Sequence, residues 1–159
     1  MSPRPSRVST GVPGLDEVLY GGLLPRRSYL IGGGPGTGKT ILGMHFLATG
    51  AAAGEATLFI SLGEGEKELR QNAASLGFAL EPVSILDLSP ASEFLTQLQT
   101  YDIFSPAEVE RDPTAQKINE RVRSVSPRRV FVDGVRQLQY LTPDAFQFRK
   151  QVSAFVLSR

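Results

Sequence analysis

The chain has 159 residues, 41% of them hydrophobic and 21% charged, and this composition is typical of a soluble globular domain with a sizeable core. The net charge of +1 gives no broad electrostatic basis for a nucleic-acid or membrane partner. There is no cysteine, which excludes disulfides and thiolate metal sites, and the single histidine, His45, argues against multi-histidine metal sites and Ser-His-Asp triads. No apolar run approaches about 18 residues and residues 1–10 lack a signal-peptide core, so we expect a cytoplasmic protein.

The predicted elements alternate between strands and helices. Residues 1–9 are rich in Pro, Ser and Arg, which predicts a flexible lead-in before one domain over 10–159. A short helical turn is predicted between Thr10 and Ser28. Four apolar runs predict buried strands, at 28–33, 56–62, 83–88 and 128–134. Helices are predicted over 39–53, over 66–76, in pieces within 89–127 and from Thr142. This alternation indicates an α/β fold with a parallel sheet.

A glycine-rich stretch, "GGPGTGKT" from Gly33 to Thr40, lies between the first predicted strand and its helix. It matches the phosphate-loop pattern G-x-x-x-x-G-K-[ST] in the strand–loop–helix context that the pattern requires, which argues against a chance glycine-rich turn. Glycines let successive N–H groups point inward at phosphates, Lys39 adds a positive charge, and Thr40 is placed to bind Mg²⁺. The predicted nucleotide-binding residues are Gly33, Gly34, Pro35, Gly36, Thr37, Gly38, Lys39, Thr40 and Ile41.

A second acidic ligand for Mg²⁺ is predicted at Asp133, which ends the apolar run "RRVFVD". A carboxylate at the carboxyl edge of a parallel sheet faces the ligand crevice and could hold the ion opposite Thr40. Asp133-Gly134 is also a turn signal, so a strand-ending aspartate without a metal role is the alternative. Asp87 ends another apolar run, but the spacing from the phosphate loop favours Asp133.

Three stretches together resemble the KaiC family of RecA-superfamily ATPases. They are "STGVPGLDEVLYGGLLPRRSYLIGGGPGTGKT" at 9–40, "LFISLGEGEKELRQNAASLGF" at 58–78 and "RRVFVDGV" at 128–135. The resemblance extends from about Arg7 to Arg159. It implies a RecA-like P-loop NTPase fold with a parallel sheet flanked by helices. It also implies binding of ATP with Mg²⁺, slow hydrolysis, assembly into homo-oligomeric rings that are usually hexamers, protein partners, and a signalling or clock-type role.

The end of the strand at 56–62 departs from the family pattern. In the family this strand typically ends in two adjacent glutamates that orient and activate the attacking water, and the aligned positions here are Gly63 and Glu64. Glycine cannot hold a water in line with the γ-phosphate, so Glu64 is the predicted catalytic carboxylate. Lys39, which places a positive charge on the phosphates, is the second predicted catalytic residue. The alternative for Glu64 is a solvated loop acid. Glu66 and Glu68 are predicted to belong to the next helix, where acids suit the first turn and Glu66 can pair with Arg70.

The C-terminus is a second departure from the family pattern. In a RecA-type sheet, the strand that follows the Asp133 strand inserts between it and the phosphate-loop strand, and this chain stops at Arg159, inside the preceding predicted helix. We therefore expect a domain that is incomplete at its C-terminus, with C-terminal strands missing and two sheet edges unpaired. The favoured explanation is a fragment of a longer protein; pairing with a second chain or a different closure of the sheet are the alternatives.

Two other functions compete with a slow ATPase. A nucleotide-binding regulator or scaffold that no longer hydrolyses ATP would explain Gly63 and the missing strands. A small-molecule kinase would need an arginine-rich lid, and a recombinase would need basic DNA loops; the sequence supports neither, so we expect no nucleic-acid partner. The pairs Arg26-Arg27 and Arg128-Arg129 are interpreted as solvated charges beside strands.

Overall fold

A computed structural model describes residues 6–101 and 113–137. The helices are α1 (Pro13–Val18), α2 (Lys39–Ala52), α3 (Glu66–Ser75), α4 (Glu93–Tyr101) and α5 (Pro113–Val125). The strands are β1 (Thr57–Ser61), β2 (Ser84–Asp87) and β3 (Arg129–Asp133), and a single 3-10 turn follows at Val135–Gln137. The α/β fold with a parallel sheet is thereby confirmed. The helix predicted from Thr142 lies outside the described residues.

The sheet has the order β2-β1-β3, and both of its strand pairs are parallel. Phe59 at the centre of β1 is opposite Ile85 on β2 and Phe131 on β3. All five residues of β1 are buried, as expected for a strand with a neighbour on each edge and helices on each face. The carboxyl ends of the three strands therefore meet at one edge, where Asp87 and Asp133 lie at equivalent positions beside Ser61.

Alternate residues of β1 point into two separate hydrophobic cores because side chains alternate across a strand. Phe59 faces the core that α2 and α3 complete, whereas Leu58 and Ile60 face the core that α5 completes. The buried members of the first core are Met44, Leu47, Phe59, Leu69, Ala73, Leu80, Val83 and Ile85. The buried members of the second are Leu58, Ile60, Leu62, Leu86, Leu88 and Ile118.

Helix α2 packs closely on β3, and glycine occupies two positions on its contact face. A methyl group on Gly43 would lie 2.5 Å from Cζ of Phe131, and one on Gly50 would lie 2.6 Å from Nε of Arg129. These distances are far below van der Waals contact, so both positions require a residue without a side chain. The two glycines are seven residues apart and therefore share one face of the helix.

The predicted buried strand at 28–33 is not formed. The segment has no strand conformation, and the exposed fractions of Tyr29, Leu30 and Ile31 are 47%, 89% and 40%. An apolar run becomes a strand only when a neighbour supplies hydrogen bonds, and the second edge of β3 pairs with no strand among the residues described. The outer edge of β3, one of the two edges expected to flank an inserted strand, therefore has no strand partner within 6–101 and 113–137.

The residues before α1 are held by Asp16. Its carboxylate accepts hydrogen bonds from Ser9 Oγ at 2.5 Å, from Thr10 Oγ1 at 2.7 Å and from the Thr10 backbone N–H at 2.8 Å. Val8 forms an antiparallel bridge with Leu23. None of the helices described has both the length and the apolar character needed to cross a membrane.

We expect Gly43→Ala to destabilise the protein. Alanine favours a helix by about 1 kcal/mol over glycine, but the added methyl group overlaps the Phe131 ring, and overpacking of this kind costs about 1–3 kcal/mol. Denaturant unfolding should therefore show a lower midpoint for the variant. Gly14→Ala in α1 is the matched control, because a methyl group there meets no atom within 4 Å. Equal midpoints for Gly43→Ala and Gly14→Ala would contradict the close packing of α2 on β3.

Candidate functional site

The phosphate loop runs from Gly33 into the first turn of α2. Gly36 and Gly38 have φ values of 76° and 84°, a left-handed conformation that favours glycine. A methyl group on Gly33 would lie 2.5 Å from Thr37 Oγ1, so the curl of the loop leaves no room for a side chain there. Residues 33–37 are exposed and can therefore be reached by a ligand.

The Lys39 ammonium group is turned back over the loop. Its Nζ donates to the carbonyl oxygens of Gly33 at 2.9 Å and Gly34 at 2.6 Å. Thr37 Oγ1 also donates to the Gly34 carbonyl, at 2.9 Å. The ammonium group is thus placed at the concave side of the loop, where a phosphate oxygen would be a stronger acceptor than a carbonyl.

The end of β3 lies directly against the start of α2. Thr40 Oγ1 donates a hydrogen bond to Asp133 Oδ2 over 2.5 Å. The two residues are 93 positions apart in sequence, so only the packing of α2 on β3 brings them together. The structure therefore unites the two residues that the sequence predicts as magnesium ligands.

The donor set at this point suits Mg²⁺. The described residues contain no group of three or more His, Cys, Asp or Glu side chains that could enclose a metal by themselves. Mg²⁺ is usually held by one or two protein oxygens together with substrate phosphates and waters, rather than by a complete protein cage. A hydroxyl and a carboxylate beside a phosphate loop match that requirement, and metal binding by Thr40 and Asp133 stays a prediction.

The acidic residues after β1 lie partly in the loop and partly in α3, as their spacing predicts. Ser61 Oγ donates to the backbone carbonyl of Glu64 at 2.5 Å, and Asn72 Nδ2 donates to the Glu64 carboxylate. Glu66 begins α3 and forms an ion pair with Arg70 at 2.8 Å, which confirms the predicted i,i+4 pair. Glu64 is thus the acid that remains in the loop at the carboxyl edge of the sheet, with both its backbone and its side chain held.

Comparison with known protein families identifies the fold. The model of the family described as "ATPase: KaiC" matches residues 8–158, nearly the whole chain. The chain belongs to the KaiC ATPase family. Membership indicates a nucleotide-binding ATPase-type domain with a RecA-like P-loop fold, and it implies nucleotide and metal binding in general.

Several curated archaeal and bacterial proteins named UPF0273 resemble this KaiC-family chain. The protein from Pyrococcus horikoshii is 31% identical over 144 residues, which are 86% of the chain and 58% of the relative. The protein from Thermotoga maritima is 33% identical over 147 residues, 87% of the chain and 59% of the relative. The protein from Methanopyrus kandleri is 35% identical over 141 residues, 83% and 54% respectively. The matched part of the chain thus corresponds to somewhat more than half of each relative.

Asp87 lies at the carboxyl end of β2, on the other side of β1 from Asp133. Its carboxylate accepts from the backbone N–H groups of Glu66 and Ser89, each at 2.9 Å, and so caps the start of α3. Burial alone would raise the pKa of Asp87, but hydrogen bonds donated by Ser89 and Glu66 outweigh it and lower the pKa below 3.8. Asp87 therefore stabilises the helix after Glu64, while Asp133 is the aspartate next to the phosphate loop.

Sequence reasoning missed three residues at or beneath the site. The interpretation of Arg129 as a solvated charge is wrong, because its side chain is buried, with 6% of it exposed, and it pairs with Glu55 at 2.5 Å. Asn72 and Gln137 both lie against the loop after β1. Glu64 and Asn72 are eight residues apart across a loop and two helical turns, a spacing that no local motif marks.

We expect Asp87→Asn to lower the free energy of unfolding by about 1 kcal/mol at pH 7, the usual cost of weakening a helix cap. The folded-state pKa is below the ordinary 3.8, so the carboxylate's contribution is complete above that value. It disappears as the pH falls through the lowered folded-state pKa. Urea unfolding of wild type and variant should therefore differ at pH 7 and converge in acid.

Glu81→Gln, which changes an exposed carboxylate, provides the control for Asp87→Asn and should leave stability at pH 7 unchanged. A stability difference for Asp87→Asn that stays constant from pH 7 into acid would show that the carboxylate charge does not stabilise α3.

Proposed function

We propose that this protein binds ATP with Mg²⁺ and hydrolyses it slowly. The observation that carries the proposal is the hydrogen bond between Thr40 and Asp133, because it joins the phosphate loop to the carboxyl end of β3 at the place where the metal would bind. In this assignment the loop amides and Lys39 would hold the β- and γ-phosphates, where bound Mg²⁺ would supply neutralisation of charge on their oxygens. Thr40 and Asp133 would hold the ion, directly or through water.

We assign to Glu64 the role of activating the attacking water. The water would lie between Glu64 and the γ-phosphate, and its proton would pass to the carboxylate. The hydrogen bond from Ser61 fixes the backbone of Glu64 despite the glycines on both sides, which supports a defined position for this side chain.

A nucleotide-binding regulator that does not hydrolyse ATP is the second candidate. It is favoured by Gly63, which removes one of the two carboxylates that the family typically places here. It is also favoured by the hydrogen bond from Asn72, which occupies one oxygen of the Glu64 carboxylate. The two candidates share the nucleotide site and differ only in whether Glu64 activates water.

Ring assembly and a signalling or clock-type role complete the proposal and rest on family membership alone. A cytoplasmic location is supported by ATP as the expected ligand. Light scattering with and without ATP would test assembly, since a ring of identical subunits would multiply the particle mass.

The nucleotide site can be tested by thermal unfolding. At ATP concentrations about 100 times the Kd, binding should stabilise the protein by about 2.7 kcal/mol, or roughly 5–10 °C in Tm, when Mg²⁺ is present. Lys39→Ala removes a charge-assisted contact worth about 1.5–3 kcal/mol, so its shift should fall to half or less. Thr40→Ala and Asp133→Asn should lose mainly the part of the shift that depends on Mg²⁺.

Lys67→Ala, which changes an exposed lysine on α3, is the control for Lys39→Ala and should keep the full thermal shift. GTP in place of ATP tests base selectivity in the same assay. An absent shift in wild type, or an equal shift in Lys39→Ala, would reject the nucleotide-site assignment.

Single-turnover hydrolysis separates the two candidate functions. Glu64→Gln keeps the size of the side chain but cannot accept a proton, so we expect the rate to fall about 100-fold or more. Glu68→Gln, an exposed acid one turn into α3, should hydrolyse at the wild-type rate. Equal residual rates in wild type and Glu64→Gln would favour the regulator.

A further inference from the structure

The side chain of Gln137 lies beside Gly63, and both residues are exposed to solvent and so to a ligand. A methyl group built on Gly63 would lie 3.2 Å from Nε2 and 3.7 Å from Oε1 of Gln137. A longer side chain at position 63 would therefore extend toward the volume that the Gln137 amide now occupies. Position 63 is where the family typically carries the first of its two water-activating glutamates.

The backbone turn after β3 places residue 137 beside the loop after β1. Gly134 has a φ of 81°, which turns the chain sharply at the end of β3, and Gln137 N–H donates to the Gly134 carbonyl at 2.7 Å. A methyl group on Gly134 would lie 3.5 Å from the Gly63 backbone nitrogen. The turn after β3 and the loop after β1 are thus in close approach, and Gln137 is four residues from the proposed magnesium ligand Asp133.

We infer that Gln137 positions the attacking water in place of the missing glutamate. An amide offers one acceptor and two donors, so it can accept a hydrogen bond from the water and donate one to a γ-phosphate oxygen. Glutamine performs this orienting role in other P-loop enzymes without taking the proton. The inference rests on the proposed function, since it concerns the same hydrolysis and leaves Glu64 as the proton acceptor.

The chemical step assigns each group one task. The water oxygen bonds to the γ-phosphorus while the bond from that phosphorus to the β,γ-bridging oxygen breaks, and ADP takes the bonding electron pair. The water's proton passes to Glu64. Gln137 holds the water in line and neither gains nor loses a proton.

Gln137→Leu tests the inference, with Gln71→Leu as the matched control on the exposed face of α3. Two measurements are needed: single-turnover hydrolysis of ATP, and the affinity for ADP·Mg²⁺ with and without aluminium fluoride, which mimics the transferring phosphoryl group. Gln137→Leu should hydrolyse ATP about 100-fold more slowly. It should bind ADP·Mg²⁺ normally, which reports an intact fold, and lose about 10-fold or more of the tightening by aluminium fluoride.

The outcomes distinguish this inference from the proposed function. A wild type that hydrolyses ATP together with an equally active Gln137→Leu overturns the role of Gln137 alone. A wild type that shows neither hydrolysis nor tightening by aluminium fluoride overturns the hydrolytic function and the role of Gln137 with it.

A double variant tests whether positions 63 and 137 share one space. Gly63→Glu combined with Gln137→Ala places a carboxylate where the amide was, and it should be at least about 10-fold faster than Gln137→Ala alone. Gly63→Glu by itself should be slower than the double variant, because its side chain meets the Gln137 amide. A double variant no faster than Gln137→Ala would contradict the shared space.

Discussion

The register between α2 and β3 is the constraint on which the site depends. Residues 129, 131 and 133 alternate along β3 and so share one face, and the helix positions that they meet recur along one face of α2. Arg129 lies against Phe46 and Gly50, Phe131 lies against Gly43, and Asp133 accepts from Thr40. A slip of one residue in β3 would turn Asp133 away from the phosphate loop.

Arg129 sets the amino-terminal end of this register. Its guanidinium group pairs with Glu55, donates to the carbonyl oxygens of Ser9 at 2.8 Å and Phe46 at 3.0 Å, and lies 5.0 Å from the centre of the Phe46 ring. The contacts join β3, the helix that carries the phosphate loop, and the segment before α1. Arg129 is buried and Glu55 is 26% exposed, so removing Glu55 would leave a buried positive charge with only carbonyl oxygens to compensate it. A contact far from the chemistry thus helps to fix the distance between Thr40 and Asp133.

The sequence predicts the position of a residue well where the pattern and the structure are both local. The phosphate loop needs glycines, lysine and threonine in one short stretch, and Asp133 follows directly from the strand before it. Arg129 could not be predicted, because a charged residue before a strand looks the same whether it is solvated or paired with a residue 74 positions earlier. The prediction of a strand at 28–33 was wrong for a related reason. The apolar pattern of this segment is local, but the hydrogen bonds that make a strand come from a neighbour. Register, pairing and burial of charge are properties of the assembled layers.

Contacts between residues distant in sequence also matter in the loop after β1. A glycine in place of a glutamate suggests lost activity when position 63 is considered alone. In the fold, Gly63 packs beside Gly134 and beneath the Gln137 amide, so the three positions are physically coupled. A methyl group at 63 would already lie 3.2 Å from the Gln137 amide nitrogen, and a smaller residue at 137 would leave more room for a side chain at 63. The proposed positioning of the water therefore depends on positions 63 and 137 together, while Glu64 is the proposed proton acceptor.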